Sequence, residues 1–201
     1  MSTFEQGLLR YLTPEQLQTI QSARVGIGGA GGLGSNCAMI LVRSGFRCLE
    51  IIDRDVIDAS NLNRQQYFLN EIGQPKVTVL KQRLLDINPG ADIVVHHAEW
   101  LPGIGPHFDR CEYVVEAFDQ ADVKARFVEY YQDKVRLVVS GNGMAGLLHK
   151  APMRIRRFGN IVMVGDGLTD SADGHPPMAP RVTQCAAMMS EAVLDAVLKL
   201  D

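Results

Sequence analysis

The chain is predicted to be an α/β protein with a Rossmann-like, doubly wound, mostly parallel sheet, extended by a C-terminal antiparallel pair and closed by a final helix. Three observations carry this. Short β-branched runs alternate with segments of helical period over the first 140 residues, which is the pattern of a parallel sheet covered on both faces. A glycine-rich turn, residues 29–34, follows the first such run. Beyond residue 147, two apolar runs flank Phe158-Gly159, and a long helical pattern ends the chain.

Taken in order, Thr13-Pro14-Glu15-Gln16-Leu17 reads as a helix start, with Thr13 as N-cap, Pro14 in the first position and Gln16 in the third. Val25-Gly26-Ile27 is the first strand. Leu33 to Ser44 is helical and stops at Gly45. Cys48 to Ile52 is a second strand ending at Asp53. A helix opens at Pro75, carries Val77, Leu80, Leu84 and Leu85 on one stripe, and finishes near Asn88-Pro89-Gly90. Ile93 to Val95, Tyr113 to Val115 and Leu137 to Val139 are strand-like, with a helix over Ala121 to Tyr131. Leu147 to Arg157 and Asn160 to Val164 suggest an antiparallel hairpin. Asp166 to Pro177 is rich in Gly, Asp and Pro and reads as a surface loop with scope for mobility. The last helix runs from about Pro180 to Leu200.

A length of 201 residues suits a single domain over 1–201, with residues 1–23 as an N-terminal helical arm. The formal net charge is −3 with the signs mixed, so no basic tract argues for nucleic acid or an anionic membrane. Cys37, Cys48, Cys111 and Cys185 form no CxxC pair, and four reduced thiols fit a cytoplasmic protein. Between Val25 and Val42 the only polar residues are Ser35 and Asn36. The glycines crowding its first half and the bracketing Arg24 and Arg43 favour a strand, a turn and a buried helix over a membrane span.

Gly29-Ala30-Gly31-Gly32-Leu33-Gly34 stands between a strand and a helix, where a dinucleotide fingerprint belongs. Gly29, Gly31, Gly32 and Gly34 permit a tight turn and let backbone N–H groups approach phosphate at a helix N-terminus. Asp53, ending the second strand, suits ribose hydroxyls. The motif alone favours NAD or FAD. The residues past Asp53 tip the balance. Asp55 to Gln66 is a polar excursion beyond a strand's carboxyl end, and Gly73-Gln74-Pro75-Lys76 puts a lysine in a helix's first turn. A cation there opposes the helix dipole and is better explained by a bound anion, although a solvated Arg and Lys on a loop is the plainer alternative.

With Ser60-Asn61-Leu62-Asn63-Arg64-Gln65, Glu116-Ala117-Phe118-Asp119, Ser140-Gly141 and Met178-Ala179-Pro180 falling in order, the chain resembles the ThiF/MoeB family, bacterial relatives of ubiquitin-activating enzymes. It is most similar to short ThiF-type proteins assigned to ThiS, the sulfur carrier of thiamine biosynthesis. The resemblance implies ATP-dependent adenylation of the C-terminal Gly-Gly carboxylate of a small ubiquitin-like sulfur carrier, with release of pyrophosphate. It implies a homodimer, ATP and Mg²⁺. Arg64 would clamp phosphate oxygens, Lys76 would meet them as a point charge, and Asp119 would hold Mg²⁺. Asn61 would bond the phosphates or the metal shell and Asp53 the ribose; Asp55 either assists there or only begins the loop.

The chemistry asks for such groups. A C-terminal carboxyl is already ionised at neutral pH, so no general base is needed. The barrier is repulsion, about 4 kcal/mol for two like charges ~4 Å apart at an effective dielectric of ~20, and fixed positive groups lower it. Three departures from the family pattern stand out. The second N-terminal arginine is replaced by Thr13, leaving Arg10 as the candidate for the contact a partner subunit receives. The paired zinc cysteines are missing, so zinc is not expected. No cysteine falls in Asp166 to Pro177, and Cys185 sits where core packing is expected. The competing readings are a nucleotide-binding partner without turnover and an NAD-dependent oxidoreductase.

Overall fold

The computed structural model describes residues 2–146, 151–169 and 174–200. Two short helices open the chain, α1 (Thr3–Leu8) and α2 (Pro14–Ser22). Each starts on a reciprocal cap: the Ser2 hydroxyl accepts from Glu5 N, and the Thr13 hydroxyl accepts from Gln16 N at 3.2 Å while Gln16 Oε1 accepts from Thr13 N at 2.9 Å. The expected arm is therefore no loose extension, since Leu17 and Ile20 of α2 are buried in the core.

The strands and helices then alternate: β1 (Arg24–Gly28), α3 (Gly32–Arg43), β2 (Cys48–Ile52), α4 (Lys76–Ile87), β3 (Asp92–His96), β4 (Tyr113–Glu116), α5 (Ala121–Tyr131), β5 (Leu137–Gly141), β6 (Arg154–Phe158), β7 (Ile161–Gly165) and α6 (Ala179–Leu198). Two 3-10 turns, Ala59–Asn61 and Leu69–Glu71, lie between β2 and α4. Pro75 proves to be the N-cap of α4, which makes Lys76 its first residue. A proline lacks a side-chain cap, but its fixed φ delivers the chain into the helix. The hairpin begins later than its apolar pattern suggested, at Arg154, because residues 151–153 just before it do not pair; residues 147–150 lie outside the described residues. Of the loop expected over 166–177, residues 170–173 also lie outside. At its start Asp166 and Thr169 are buried while Gly167 and Leu168 between them are exposed.

The sheet order is β3-β2-β1-β4-β5-β7-β6, parallel throughout except for β6 against β7. Val25 of β1 pairs with Leu49 on one side and Tyr113 on the other. Strand order reverses between β1 and β4, so a crevice opens there above their carboxyl ends. The two faces of the sheet are covered differently. On one, α3, α4 and α6 bury Leu41, Leu80, Leu84 and Val193. On the other, α5 and the segment following β3 build an aromatic layer, with Phe127 4.7 Å from Tyr131 and 4.9 Å from Trp100 between ring centroids. This layer explains a glycine inside a central strand: a Cβ on Gly26 would overlap the Phe108 ring. Among the described residues, no helix is long and apolar enough to cross a membrane.

Candidate active site

The turn after β1 is shaped by its neighbours. Gly29 adopts φ +97°, and a Cβ there would lie 2.6 Å from the Ala117 carbonyl, so β4 approaches too closely for any other residue. Ala30 is held from both sides: its N–H donates to Asp53 Oδ2 at 2.6 Å, and its carbonyl accepts from the Tyr67 hydroxyl at 2.7 Å. Gly31 is the N-cap of α3 and gives it no side-chain cap. The first N–H groups of α3 are therefore left for an anion. Gly34 has another purpose. A side chain there would run into the Gly29 carbonyl, so this glycine lets the helix close onto its own turn and does not line the crevice.

Above this turn lies a cleft of about 810 Å³, large enough for a nucleotide with room beyond it. Gly29, Gly31, Gly32, Asp53, Asp55, Arg64, Lys76 and Asp119 all line it. Asn61 does not. Its Oδ1 accepts from Asp58 N at 3.0 Å and caps the 3-10 turn that carries the chain to Arg64.

The wall following β2 is tightly bonded. Asp53 is buried, and its second oxygen accepts from Asp55 N at 2.7 Å. Burial pushes its carboxyl above the ordinary value; the N–H groups of Ala30 and Asp55 and the charge of Lys76 oppose this without cancelling it. Lys76 is only 5% exposed and its Nζ meets Asp55 Oδ2 at 2.7 Å. It is thus a sequestered ammonium with a half-exposed carboxylate on it. Asp55 belongs to Lys76 in this state. Arg64 lies with its stem over Gly32, its guanidinium donating to Ser60 O at 2.9 Å and Asn63 Oδ1 at 2.7 Å. Burial presses its pKa below the ordinary value, and the Asp119 carboxylate opposes that shift. Arginine remains charged regardless. Among the described residues no carboxylate forms an ion pair with Arg64, and no hydrogen bond engages the exposed Asp119.

The opposite wall contains groups that motif reading did not assign. Glu116, fully buried at the end of β4, accepts from Ser140 Oγ at 2.6 Å and from Phe118 N at 2.8 Å. Lys124 of α5 meets that carboxylate at 2.8 Å and donates to Phe118 O at 3.0 Å. This lock fixes the short loop from which Asp119 projects. Its sequence signal was the buried-strand acid followed eight residues later by a lysine in the next helix's first turns. Further along, Asp166 accepts from Arg181 Nη2 of α6 at 2.6 Å and from the N–H groups of Leu168 and Thr169. Cys185 is buried, with its thiol pushed up to about 12 by burial, so it sits as a core residue. Arg10 and Tyr11 are exposed and away from the cleft of their own chain.

A doubly wound sheet with an uncapped helix start and facing cations over its first βα turn defines the nucleotide-binding α/β class of fold. Residues 5–152 match the ThiF family, and the chain belongs to it, with homology to E1-like activating enzymes. It is 32% identical over 166 residues to the NEDD8-activating enzyme E1 catalytic subunit of Arabidopsis thaliana, covering 81% of this chain and 33% of that protein. It is 41% identical over 81 residues to a tRNA threonylcarbamoyladenosine dehydratase of Bacillus subtilis, covering 40% of this chain and 32% of the relative. The chain thus spans about a third of the length of these curated relatives. Its fold matches that of the E. coli tRNA N6-threonylcarbamoyladenosine dehydratase solved in complex with AMP, at TM-score 0.83 and 21% identity over 96% of this chain and 93% of that one.

Proposed function

We propose that the chain uses ATP to adenylate the C-terminal Gly-Gly carboxylate of a small ubiquitin-like sulfur carrier of the ThiS type, releasing pyrophosphate. The observation that carries this is the meeting of Arg64, Lys76 and Asp119 in one cleft over the first βα turn. The carboxylate oxygen forms a bond to the α-phosphorus, the bond from that phosphorus to the β-bridging oxygen breaks, and pyrophosphate leaves with the electron pair. No proton need move. The residues supply charge and position. The start of α3 and the Arg64 fork hold the phosphates. Lys76 turns from Asp55 to phosphate as the ligand arrives. Asp53 retains acceptor capacity for ribose hydroxyls.

Among the described residues no group of three or more His, Cys, Asp or Glu side chains can hold a metal by itself. An unengaged Asp119 fits Mg²⁺ all the same, because that ion is usually held by one or two carboxylates together with substrate phosphates. When bound it would neutralise phosphate charge. The single 1–201 domain would act as a homodimer, with Arg10 reaching the partner's cleft.

The likeness to tRNA dehydratases favours a second reading, in which the activated carboxylate is borne by a modified tRNA nucleoside. The net charge of −3 and the lack of a basic tract favour the protein acceptor. ATP–pyrophosphate exchange decides between them. It is expected to depend on a Gly-Gly carrier and to fall roughly 100- to 1,000-fold in Arg64→Ala and Asp119→Asn, the scale of losing one transition-state charge contact. Undiminished exchange in both variants would remove their roles, and exchange supported by tRNA alone would transfer the activity to the second reading.

A further inference from the structure

Asn63 does not line the cleft, yet its one amide holds two groups that do. Its Oδ1 accepts from Arg64 Nη1 at 2.7 Å, and its Nδ2 donates to Pro177 O at 3.0 Å. The second bond crosses from the loop after β2 to the entry of α6. That entry has no cap of its own, since Met178 is the N-cap and contributes no side-chain bond. A second tie comes from Gly146 N, which donates to Pro176 O at 3.1 Å. Gly143, Met144, Ala145 and Pro177 line the β5–β7 side of the cleft. Asn63 itself is exposed and lies in a turn, so neither burial nor a helix or strand accounts for an amide at this position.

The first bond decides how Arg64 faces. A guanidinium has N–H groups on all three nitrogens, two of them on Nη1. Here Nη1 is spent on protein oxygens, Ser60 O at 2.9 Å and Asn63 Oδ1. Nε and Nη2 make no hydrogen bond or ion pair among the described residues. They form the other edge of the fork, the pair of parallel donors that suits a phosphate. We infer that Asn63 is a positioning residue: through Arg64 it turns the Nε–Nη2 edge to the phosphate chain, and through Pro177 it couples that arginine to the β5–β7 side of the cleft. The inference rests on the nucleotide reading of the cleft and assigns Asn63 no contact with the nucleotide. An amide serves both ends, whereas a carboxylate of the same length has no donor for the Pro177 carbonyl. With phosphate holding Arg64, Asn63 is held in turn, and the entry of α6 loses freedom.

Direct binding of ATP and of adenosine to the purified full chain, together with backbone amide exchange, provides the test. Asn63→Ala should weaken ATP roughly 3- to 10-fold, the range of one hydrogen bond, with adenosine binding unchanged. In an Arg64→Ala background the same substitution should weaken ATP no further, since a residue that acts through Arg64 then has nothing to position. ATP should slow amide exchange at Gly146, whose N–H is bonded to Pro176 O, in the wild type and not in Asn63→Ala. Equal ATP affinity in the wild type and Asn63→Ala overturns the inference alone. Equal loss of ATP and adenosine, or losses that add in the double variant, makes the role structural and also overturns it. The same slowing at Gly146 in both proteins overturns the coupling through Pro177. A wild type that binds no ATP overturns both this inference and the function it rests on.

Discussion

Two buried aspartates sit at strand ends, Asp53 in the lining of the cleft and Asp166 outside it, and the protein treats them in opposite ways. Asp53, after β2, accepts two backbone N–H bonds but has no ion-pair partner among the described residues, and burial leaves its carboxyl above the ordinary value. Asp166, after β7, is equally secluded, and burial alone would raise it too. There the N–H groups of Thr169 and Leu168, the Thr169 hydroxyl and the Arg181 guanidinium overcome burial and hold it below the ordinary value. At Asp53 two backbone donors and the charge of Lys76 do not offset the loss of water; at Asp166 the two backbone N–H groups contribute first, and the Thr169 hydroxyl and then the Arg181 guanidinium add to them. The β7 side matches its charges internally and is a structural joint. The β2 side directs Lys76 to Asp55 and leaves Asp53 and Arg64 with bonding capacity, as a wall does that is completed by a ligand.

The most forceful way to break this contrast is Asp166→Ala. It would strand the Arg181 guanidinium, whose side chain is 16% exposed. Removing one member of a buried ion pair costs about 3–5 kcal/mol, read from urea unfolding, and saturating ATP should not restore it. A loss below ~1 kcal/mol would mean the joint carries no such weight. A smaller effect, about 1–3 kcal/mol in the free protein, is expected for Asp55→Asn, which leaves Lys76 without its carboxylate. Here ATP should raise the melting temperature more than it does in the wild type, because phosphate supplies the missing partner. An equal rise in both proteins would show that Lys76 does not change partners.

The smallest effect distinguishes the two aspartates by the sign of a slope. Relative to Asp53→Asn, wild-type stability should fall as pH rises from the ordinary aspartate value of 3.8 toward Asp53's higher one, since the folded state holds the extra proton in that window. Relative to Asp166→Asn, it should be fully present above 3.8 and be lost as pH drops through Asp166's lower value. Slopes of one sign for both variants would erase the distinction.

Much of the fold was legible because its signals are local. Thr13-Pro14-Glu15-Gln16 forms the cap its residue types imply, α5 has the bounds its period implies, and β2 spans the run read as a strand. The membership of the cleft was legible for the same reason, since the glycine turn, Arg64, Lys76 and Asp119 each follow a strand end or open a helix. Asn61 shows where such reading stops. Its position in the motif suits a ligand contact, yet its side-chain oxygen accepts from Asp58 N three residues back, and the residue stands outside the cleft lining. Gly34 shows the same limit, since its reason for being glycine is a backbone crossing visible only in space.

The sequence by itself determined the succession of strands and helices, the turn on which a phosphate can rest, and the family. Caps, glycines and hydrophobic period act within a few residues, and nearby chain suffices to interpret them. Only the tertiary structure decided which charge meets which. Lys76 and Asp55 are 21 residues apart, and Ser140 and Glu116 are 24 apart; Arg181 finds Asp166 across the end of the sheet, and Gln65 finds no partner among the described residues. Those outcomes depend on strand order and helix packing, because a side chain's partner is set by distance through space, which separation along the chain does not specify.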